Sequence, residues 1–283
     1  MLTGAELTSI VSRIERILSG VERISALVAS IATDADVHGR ALCREDIGPI
    51  RLLAAELLRD HPGFIAGAGA VLAPGVLADA PQWLEWWWAE TPATVQRLRV
   101  DLDPASADYS DYTTTEWYRT PERSGRWSII GPYVDYICTH QYTFTLSAPV
   151  RCAGRFIGVA GADILAAQVE RLALPALHAQ ATDAVLVSAA GRVIASTAAA
   201  ITPGMIAPPG RIIADLGTLP WQVRELATPL RRKGGASGLV TLTGATVAWP
   251  LQYGLVSTAI GGAGAVALYA VCARRRFPSC LAK

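Results

Sequence analysis

The chain has 283 residues, of which 51% are hydrophobic and 17% are charged, and its formal net charge is +1 at pH 7. This composition excludes a disordered protein, and the length suits one large domain or two small ones. The basic residues form no continuous stripe, so no nucleic-acid partner is expected. The mean hydropathy is positive, +0.31, which indicates that part of the apolar sequence serves a lipid bilayer.

The first segment, residues 6–32, predicts a long amphipathic helix. Its apolar residues recur at alternating spacings of three and four, at Leu7, Ile10, Ile14, Ile17, Val21, Ile24, Val28 and Ile31. Two interpretations are open: this face packs on a sheet of the same chain, or it forms a coiled-coil-like seam in a homodimer. Charged residues interrupt the segment every few positions, so we expect no signal peptide in it. A second helix is predicted over residues 47–59.

Short apolar runs separated by Gly and Pro follow, which is typical of antiparallel strands. We predict strands at residues 64–72, 83–89, 95–102, 127–130, 141–150 and 155–161, a helix at 164–178, a hairpin from 184 to 196, and strands at 211–215 and 221–226. Helices followed by an antiparallel sheet predict the α+β class. The three consecutive tryptophans, residues 86–88, are predicted to pack a core, with a stacking or sugar-binding platform as the alternative.

The C-terminal part predicts a membrane anchor. Residues 227–250 read as a linker, residues 251–273 as a transmembrane helix and residues 274–283 as a short basic tail, and no charged residue occurs from 239 to 273. Arg274, Arg275 and Arg276 favour a cytoplasmic tail, which places the rest of the chain outside the cell membrane. Because we expect no export signal, a cytoplasmic location of the domain is the alternative.

Catalytic and metal-binding patterns are absent from the sequence. The five cysteines form no C-x-x-C pair and the four histidines are far apart, so we expect no metal site and no cofactor. Neither a nucleophile elbow nor a phosphate loop occurs, and an enzyme is not predicted. Cys138 and Cys152 flank one strand region and form either a disulfide or two buried thiols.

Four short motifs follow one another between residues 108 and 164. They are Trp117-Tyr118, then Gly131-Pro132-Tyr133-Val134-Asp135, then a Thr-x-Ser-x-Pro-Val strand at 145–150, and finally Gly158-Val159-Ala160-Gly161-Ala162-Asp163-Ile164. This order resembles the Cache family of sensor domains, over roughly the first 226 residues. The resemblance implies a PAS-like antiparallel sheet with a ligand pocket, usually outside the membrane. Residues 1–163 are then the ligand-binding module, and residues 164–226 either complete it or form a shortened second module.

The resemblance also implies which side chains surround the ligand: Trp117, Tyr118, Tyr133, Asp135 and Asp163. Amino-acid-binding members carry an arginine two residues before the tryptophan, and here that position is Thr115. Without the family, two carboxylates among aromatic rings suit a cation, and the missing arginine removes a bidentate clamp for a carboxylate. We therefore expect an amine or a small uncharged polar ligand. In the alternative interpretation Tyr133 and Asp135 only make a turn and Asp163 caps the helix that begins near residue 164.

The sequence thus predicts a membrane-anchored Cache sensor of a small amine or amino-acid-like molecule, which signals through a partner protein because no output module is recognisable. One alternative is a structural membrane protein with a degenerate Cache fold and no ligand. Another is the cytoplasmic sensing half of a truncated transcriptional regulator.

Overall fold

The computed structural model describes residues 4–91, 94–107, 109–135 and 141–226. Its helices are α1 (Gly4–Val37), α2 (Arg44–Ile47), α3 (Ile50–Asp60), α4 (Glu116–Ser124) and α5 (Ala166–His178). Its strands are β1 (Ile65–Leu72), β2 (Trp83–Thr91), β3 (Thr94–Arg97), β4 (Ser128–Val134), β5 (Tyr142–Cys152), β6 (Arg155–Leu165), β7 (Ala184–Val187), β8 (Val193–Ser196), β9 (Gly210–Asp215) and β10 (Gln222–Leu226). The predicted α+β class with a long N-terminal helix is confirmed.

A six-stranded antiparallel sheet is the centre of the fold, with strand order β3-β2-β1-β6-β5-β4. The longest pairing joins β5 and β6 through a two-residue turn, Ala153-Gly154, where both residues have positive φ, 49° and 78°. Two positive φ angles in succession are typical of the type I′ turn, whose twist matches that of a hairpin. The sheet is PAS-like, as the motifs predicted.

Helix α1 packs along one face of this sheet, against β5, β6 and β1. Its apolar face is buried from Leu7 to Val28, and Ile10, Ile17 and Val21 have no exposed surface. The interpretation of this face as the seam of a homodimer is therefore wrong, because the sheet of the same chain covers it. Spacings of three and four occur both in coiled coils and in helices that lie on a sheet, so the sequence pattern did not separate the two.

The central strand β1 is buried along its whole length because both faces of the sheet are covered. Ala68, Ala70 and Leu72 point into the main core beneath α1, whereas Val71 joins a second apolar cluster on the opposite face. The tryptophans of β2 follow the same alternation. Trp87 packs against the main core and Trp86 belongs to the second cluster, as the core interpretation predicted.

A second antiparallel sheet of four strands, in the order β8-β7-β10-β9, follows α5. The predicted hairpin is β7 and β8, which turn at Gly191, where φ is 72°. Helix α5 contacts both α1 and β8, so one core continues beneath the two sheets. The predicted second helix, residues 47–59, is two helices, since α2 ends at Ile47 and α3 begins at Ile50 after Gly48-Pro49.

Several predictions concern residues beyond the described ranges. The linker, the transmembrane helix at 251–273 and the basic tail are among them, as is Cys138 of the predicted disulfide. Among the helices that are described, none combines the length and the apolar character needed to span a bilayer. Cys152 is a free, buried thiol, whose Sγ lies 3.4 Å from Asp36 Oδ2.

Candidate ligand-binding site

A cavity of about 180 Å³ lies on the face of the six-stranded sheet opposite α1. Strands β1, β2, β4, β5 and β6, helix α4 and the segment before it supply its walls. Its described lining consists of Val71, Leu84, Trp86, Val100, Ser110, Tyr112, Thr115, Trp117, Tyr133, Val134, Asp135, Thr145 and Asp163. Four of the five residues predicted for the site, all except Tyr118, are therefore brought together around one cavity.

Asp163 is a deeply buried carboxylate of the cavity, with 4% of its surface exposed. It pairs in register with Thr145 of the adjacent strand β5, and the Thr145 hydroxyl donates a 2.7 Å hydrogen bond to Asp163 Oδ1. The Tyr133 hydroxyl in turn bonds to Thr145 Oγ1. Because Thr145 has one hydroxyl proton and gives it to the carboxylate, Tyr133 is the donor in the second bond.

The environment of Asp163 favours its neutral form. Burial raises the pKa of Asp163 to about 7, the bond from Thr145 opposes this rise, and the negative charge of Asp135 adds to it. The carboxyl of Asp163 therefore titrates near neutral pH. A cation placed beside it would lower its pKa and favour the ionised form.

The interpretation of Asp163 as a helix cap is wrong. Strand β6 continues to Leu165, and Leu165 occupies the N-cap position of α5 without a side-chain hydrogen bond. The pairing of residues 164 and 165 with β5 and the bond between the Leu165 N–H and the Phe64 carbonyl hold this last stretch in the sheet. The helix begins two residues later than predicted, and Asp163 is left facing the cavity.

Asp135 is the second carboxylate of the site and lies just beyond the end of β4, with 7% of its surface exposed. Its backbone N–H donates a 2.9 Å hydrogen bond to the carbonyl of Gln141. The strand before it contains a cis peptide bond between Gly131 and Pro132. Tyr133 lies within β4, opposite Thr143, and not in a turn, and both Tyr133 and Asp135 line the cavity.

Of the two aromatic residues of α4, Trp117 lines the cavity. The carbonyl of Trp117 accepts a 2.7 Å bond from the Ser147 hydroxyl, which ties the first turn of α4 to strand β5. Tyr118 does not line the cavity: it is 2% exposed and its ring packs edge-on against Phe156 at 5.4 Å and beside Tyr112 at 5.6 Å. Adjacent residues on a helix point about 100° apart, so Trp117 and Tyr118 face different surroundings. Tyr118 thus packs against the aromatic residues behind the cavity wall.

Several lining residues were not among the predicted site residues, and one of them, Thr145, belongs to the third motif. Thr145 could have been found by pairing the two motif strands, because residues 145 and 163 then fall opposite each other on one face. No sequence feature pointed to Tyr112 as a lining residue. Its hydroxyl donates a 2.8 Å hydrogen bond to the Leu72 carbonyl. Thr115, at the position where the family resemblance implied an arginine in amino-acid-binding members, does line the cavity, and its hydroxyl donates to the Tyr112 carbonyl at 2.7 Å.

Two glycines make room for Trp86 over the sheet. A Cβ atom at Gly67 would lie 2.4 Å from the Trp86 Nε1, and one at Gly161 would lie 3.3 Å from the Trp86 Cη2. The indole therefore lies across strands that carry no side chains at these positions. Its buried Nε1 has no hydrogen-bond partner among the described residues.

Among the described lining residues of the cavity, all charged side chains are negative. Asp135 and Asp163 are both carboxylates, and the described part of the lining includes no Arg, Lys or His. No group of three or more His, Cys, Asp or Glu side chains in the described ranges is placed to hold a metal ion. The arrangement suits the binding of a cation among aromatic rings.

Comparison with known proteins agrees with the motifs. Residues 93–171 match the family model of the methyl-accepting chemotaxis protein-like, first PDC sensor domain. No curated protein sequence matches the chain.

Solved structures that match part of the chain include sensor domains. The extracellular domain of the histidine kinase candidate mmHK1S-Z3 is 16% identical with a TM-score of 0.48, and the match covers 67% of this chain and 65% of that one. The ligand-binding domain of the Pseudomonas fluorescens chemoreceptor CtaA, in complex with L-valine, is 16% identical with a TM-score of 0.45 and coverage of 77% and 91%. The ligand-binding domain of the Pseudomonas aeruginosa PAO1 amino acid chemoreceptor PctB, in complex with L-Arg, is 14% identical with a TM-score of 0.48 and coverage of 77% and 88%. The resemblance to PDC, or Cache, sensor domains is confirmed by the family model, over residues 93–171.

Proposed function

We propose that the chain is a sensor of a small amine, which binds in the cavity and changes the interaction of the chain with a signalling partner. The observation that carries this proposal is the charge of the site: two buried carboxylates and, among the described lining residues, no basic side chain. The match of residues 93–171 to a chemoreceptor-like sensor domain supports the sensing role.

The ammonium group of the ligand would lie against Asp163 and Asp135. Charge-assisted hydrogen bonds to carboxylates are stronger than neutral ones, and burial strengthens them further. The face of Trp117 adds a cation–π contact. Tyr133 and Thr145 hold the Asp163 carboxylate by their two successive hydrogen bonds and so fix its position.

A free amino acid fits this cavity less well. Its carboxylate would need a basic partner, and Thr115 supplies only a hydroxyl that already donates to the Tyr112 carbonyl. Repulsion from a carboxylate about 6 Å away costs about 3 kcal/mol at an effective dielectric constant of about 20. An amine without a carboxylate avoids this cost.

A route for the signal leads through the sheet to α1. Thr145, which bonds Asp163, lies on β5, and the same strand accepts a 2.9 Å hydrogen bond at the Pro149 carbonyl from Ser25 of α1. Ligand binding that favours one position of β5 over another would therefore also favour one position of α1.

We propose that residues 251–273 anchor the chain in the cell membrane with the sensor domain outside. A reporter fused to the N-terminus tests on which side of the membrane the domain lies.

The binding proposal is tested by thermal-shift measurements on the purified full chain at pH 8. We expect primary amines to raise the melting temperature, by the equivalent of about 2.7 kcal/mol at a concentration of about 100 times Kd, and free amino acids to have a smaller effect. Asp135→Asn and Asp163→Asn should abolish the shift.

Asp60→Asn is the matched control, since it removes one negative charge from the exposed end of α3, outside the cavity lining. It should leave the ligand-induced shift unchanged. If no amine stabilises the chain, the sensing role of the cavity is rejected in favour of a structural role. An equal shift in the two cavity variants would reject the carboxylates as the binding groups.

A further inference from the structure

The polar and apolar groups of the cavity lie at different places along β1. Asp163 pairs in register with Gly67, whereas Val71, four residues further along β1, pairs with Leu84 and Val159. Four residues of strand span about 13 Å. Since residues 67, 69 and 71 share one face, the cavity has a carboxylate end near Gly67 and another end near Val71.

The end near Val71 is apolar. Val71, Trp86 and Tyr112 form one cluster there, and Leu84 and Val100 pack against it. The Tyr112 hydroxyl is occupied by the Leu72 carbonyl at 2.8 Å, and burial raises the pKa of Tyr112 to about 12. Ser110 contributes a neutral hydroxyl, and none of the described lining residues near Val71 carries a charge.

Between the two ends, Gly69 of β1 and Gly161 of β6 pair with each other, and the Trp86 indole lies over Gly161, with its Cη2 3.3 Å from the position of a Cβ there. Asp163, Trp86 and Val71 nevertheless line one and the same cavity, so the two ends are connected past the indole. At about 180 Å³ the cavity has room for about a dozen water-sized groups, because one water needs about 10 to 15 Å³ measured in this way. A ligand can thus reach from one end to the other.

We infer that the ligand is a monoamine with an uncharged, apolar body, whose ammonium lies at Asp163 and whose body extends along β1 toward Val71. This inference rests on the proposed function and specifies the class of amine. A diamine of the same length would bury its second ammonium among Val71, Leu84 and Tyr112, and an unpaired buried charge is costly. An apolar body gains from the same surroundings, by about fourfold in affinity for each methylene that becomes buried.

Calorimetric titration of the full chain at pH 8 tests this inference with matched ligands. We expect the Kd to fall by up to about fourfold per carbon from ethylamine to pentylamine. 2-Phenylethylamine should bind at least about tenfold more tightly than 1,4-diaminobutane. Equal or tighter binding of the diamine would overturn the inference and leave the amine proposal intact. No binding of any amine would reject the proposed function itself.

A charge introduced at the apolar end provides the converse test. Val100 lines the cavity and is partly exposed, so Val100→Asp can be accommodated at the rim. This variant should bind 1,4-diaminobutane at least about tenfold more tightly than the original chain does, and 2-phenylethylamine more weakly. Val100→Asn, with the same shape and no charge, should not gain diamine affinity. A diamine gain in neither variant, with monoamine affinity unchanged in both, would place the body of the ligand elsewhere.

Discussion

Asp163→Asn should make the chain more stable at high pH while it removes ligand binding. Burial raises the pKa of Asp163 from 3.8 to about 7, so the folded state binds a proton between these values that the unfolded state has lost. The contribution of the Asp163 carboxyl to the free energy of unfolding is fully present below pH 3.8 and is lost as the pH rises through 7. A shift of about three pKa units corresponds to about 4 kcal/mol. Asparagine has nearly the same shape, carries no charge and can still accept the bond from Thr145.

The assay is thermal unfolding of the full chain, followed by tryptophan fluorescence at pH 5 and pH 8. At pH 8 without ligand, we expect Asp163→Asn to raise the melting temperature by up to about 10 °C, and the gain should be clearly smaller at pH 5. Asp60→Asn, on the exposed end of α3, should show no such pH dependence. A variant that is destabilised equally at both pH values would refute the reasoning, since it would mean that the ionised carboxylate is well solvated or paired in the empty site.

Three further outcomes are expected. Amine affinity should fall about 100-fold between pH 8 and pH 5, because the proton that Asp163 binds with a pKa of about 7 must leave before the ammonium binds. Titration calorimetry at the two pH values measures this change in affinity. Thr115→Arg should gain affinity for amino acids at least about tenfold by providing a partner for their carboxylate, as measured by thermal shift. Gly161→Val should displace the Trp86 indole, whose Cη2 lies 3.3 Å from the added Cβ, and so lower both the melting temperature and amine affinity. Gly161→Ala, which adds the Cβ alone, should lower both by less.

The elements themselves could be predicted from local patterns. Apolar spacing in residues 6–32 predicted both the helix and its buried face, and strands β1, β2, β5 and β6 were predicted from short apolar runs between turn residues. The end of β6 was not predicted, because the pairing of Ile164 and Leu165 with β5 overrides the local preference for a helix after Asp163. Such pairing depends on the partner strand of the hairpin, which a reading of the residues around Asp163 alone does not include.

The candidate site was predicted in part. The ordered motifs pointed to Trp117, Tyr133, Asp135 and Asp163, which line one cavity. They also pointed to Tyr118, which the helical turn of α4 directs into the aromatic cluster behind the wall. The motifs gave no indication of Trp86, whose place over the sheet depends on two glycines from different strands, Gly67 and Gly161.

By itself, the sequence determined what depends on neighbouring residues: the helices, most of the strands, the order of the motifs and the excess of carboxylates over basic groups at the site. Tertiary structure alone decided that the α1 face lies on the sheet, that Gly67 of β1 stands opposite Asp163, and that polar and apolar groups occupy different ends of the cavity. The physical reason is strand register. A shift of one residue would turn every side chain to the other face of the sheet, and register is set by contacts between strands that are far apart in the chain.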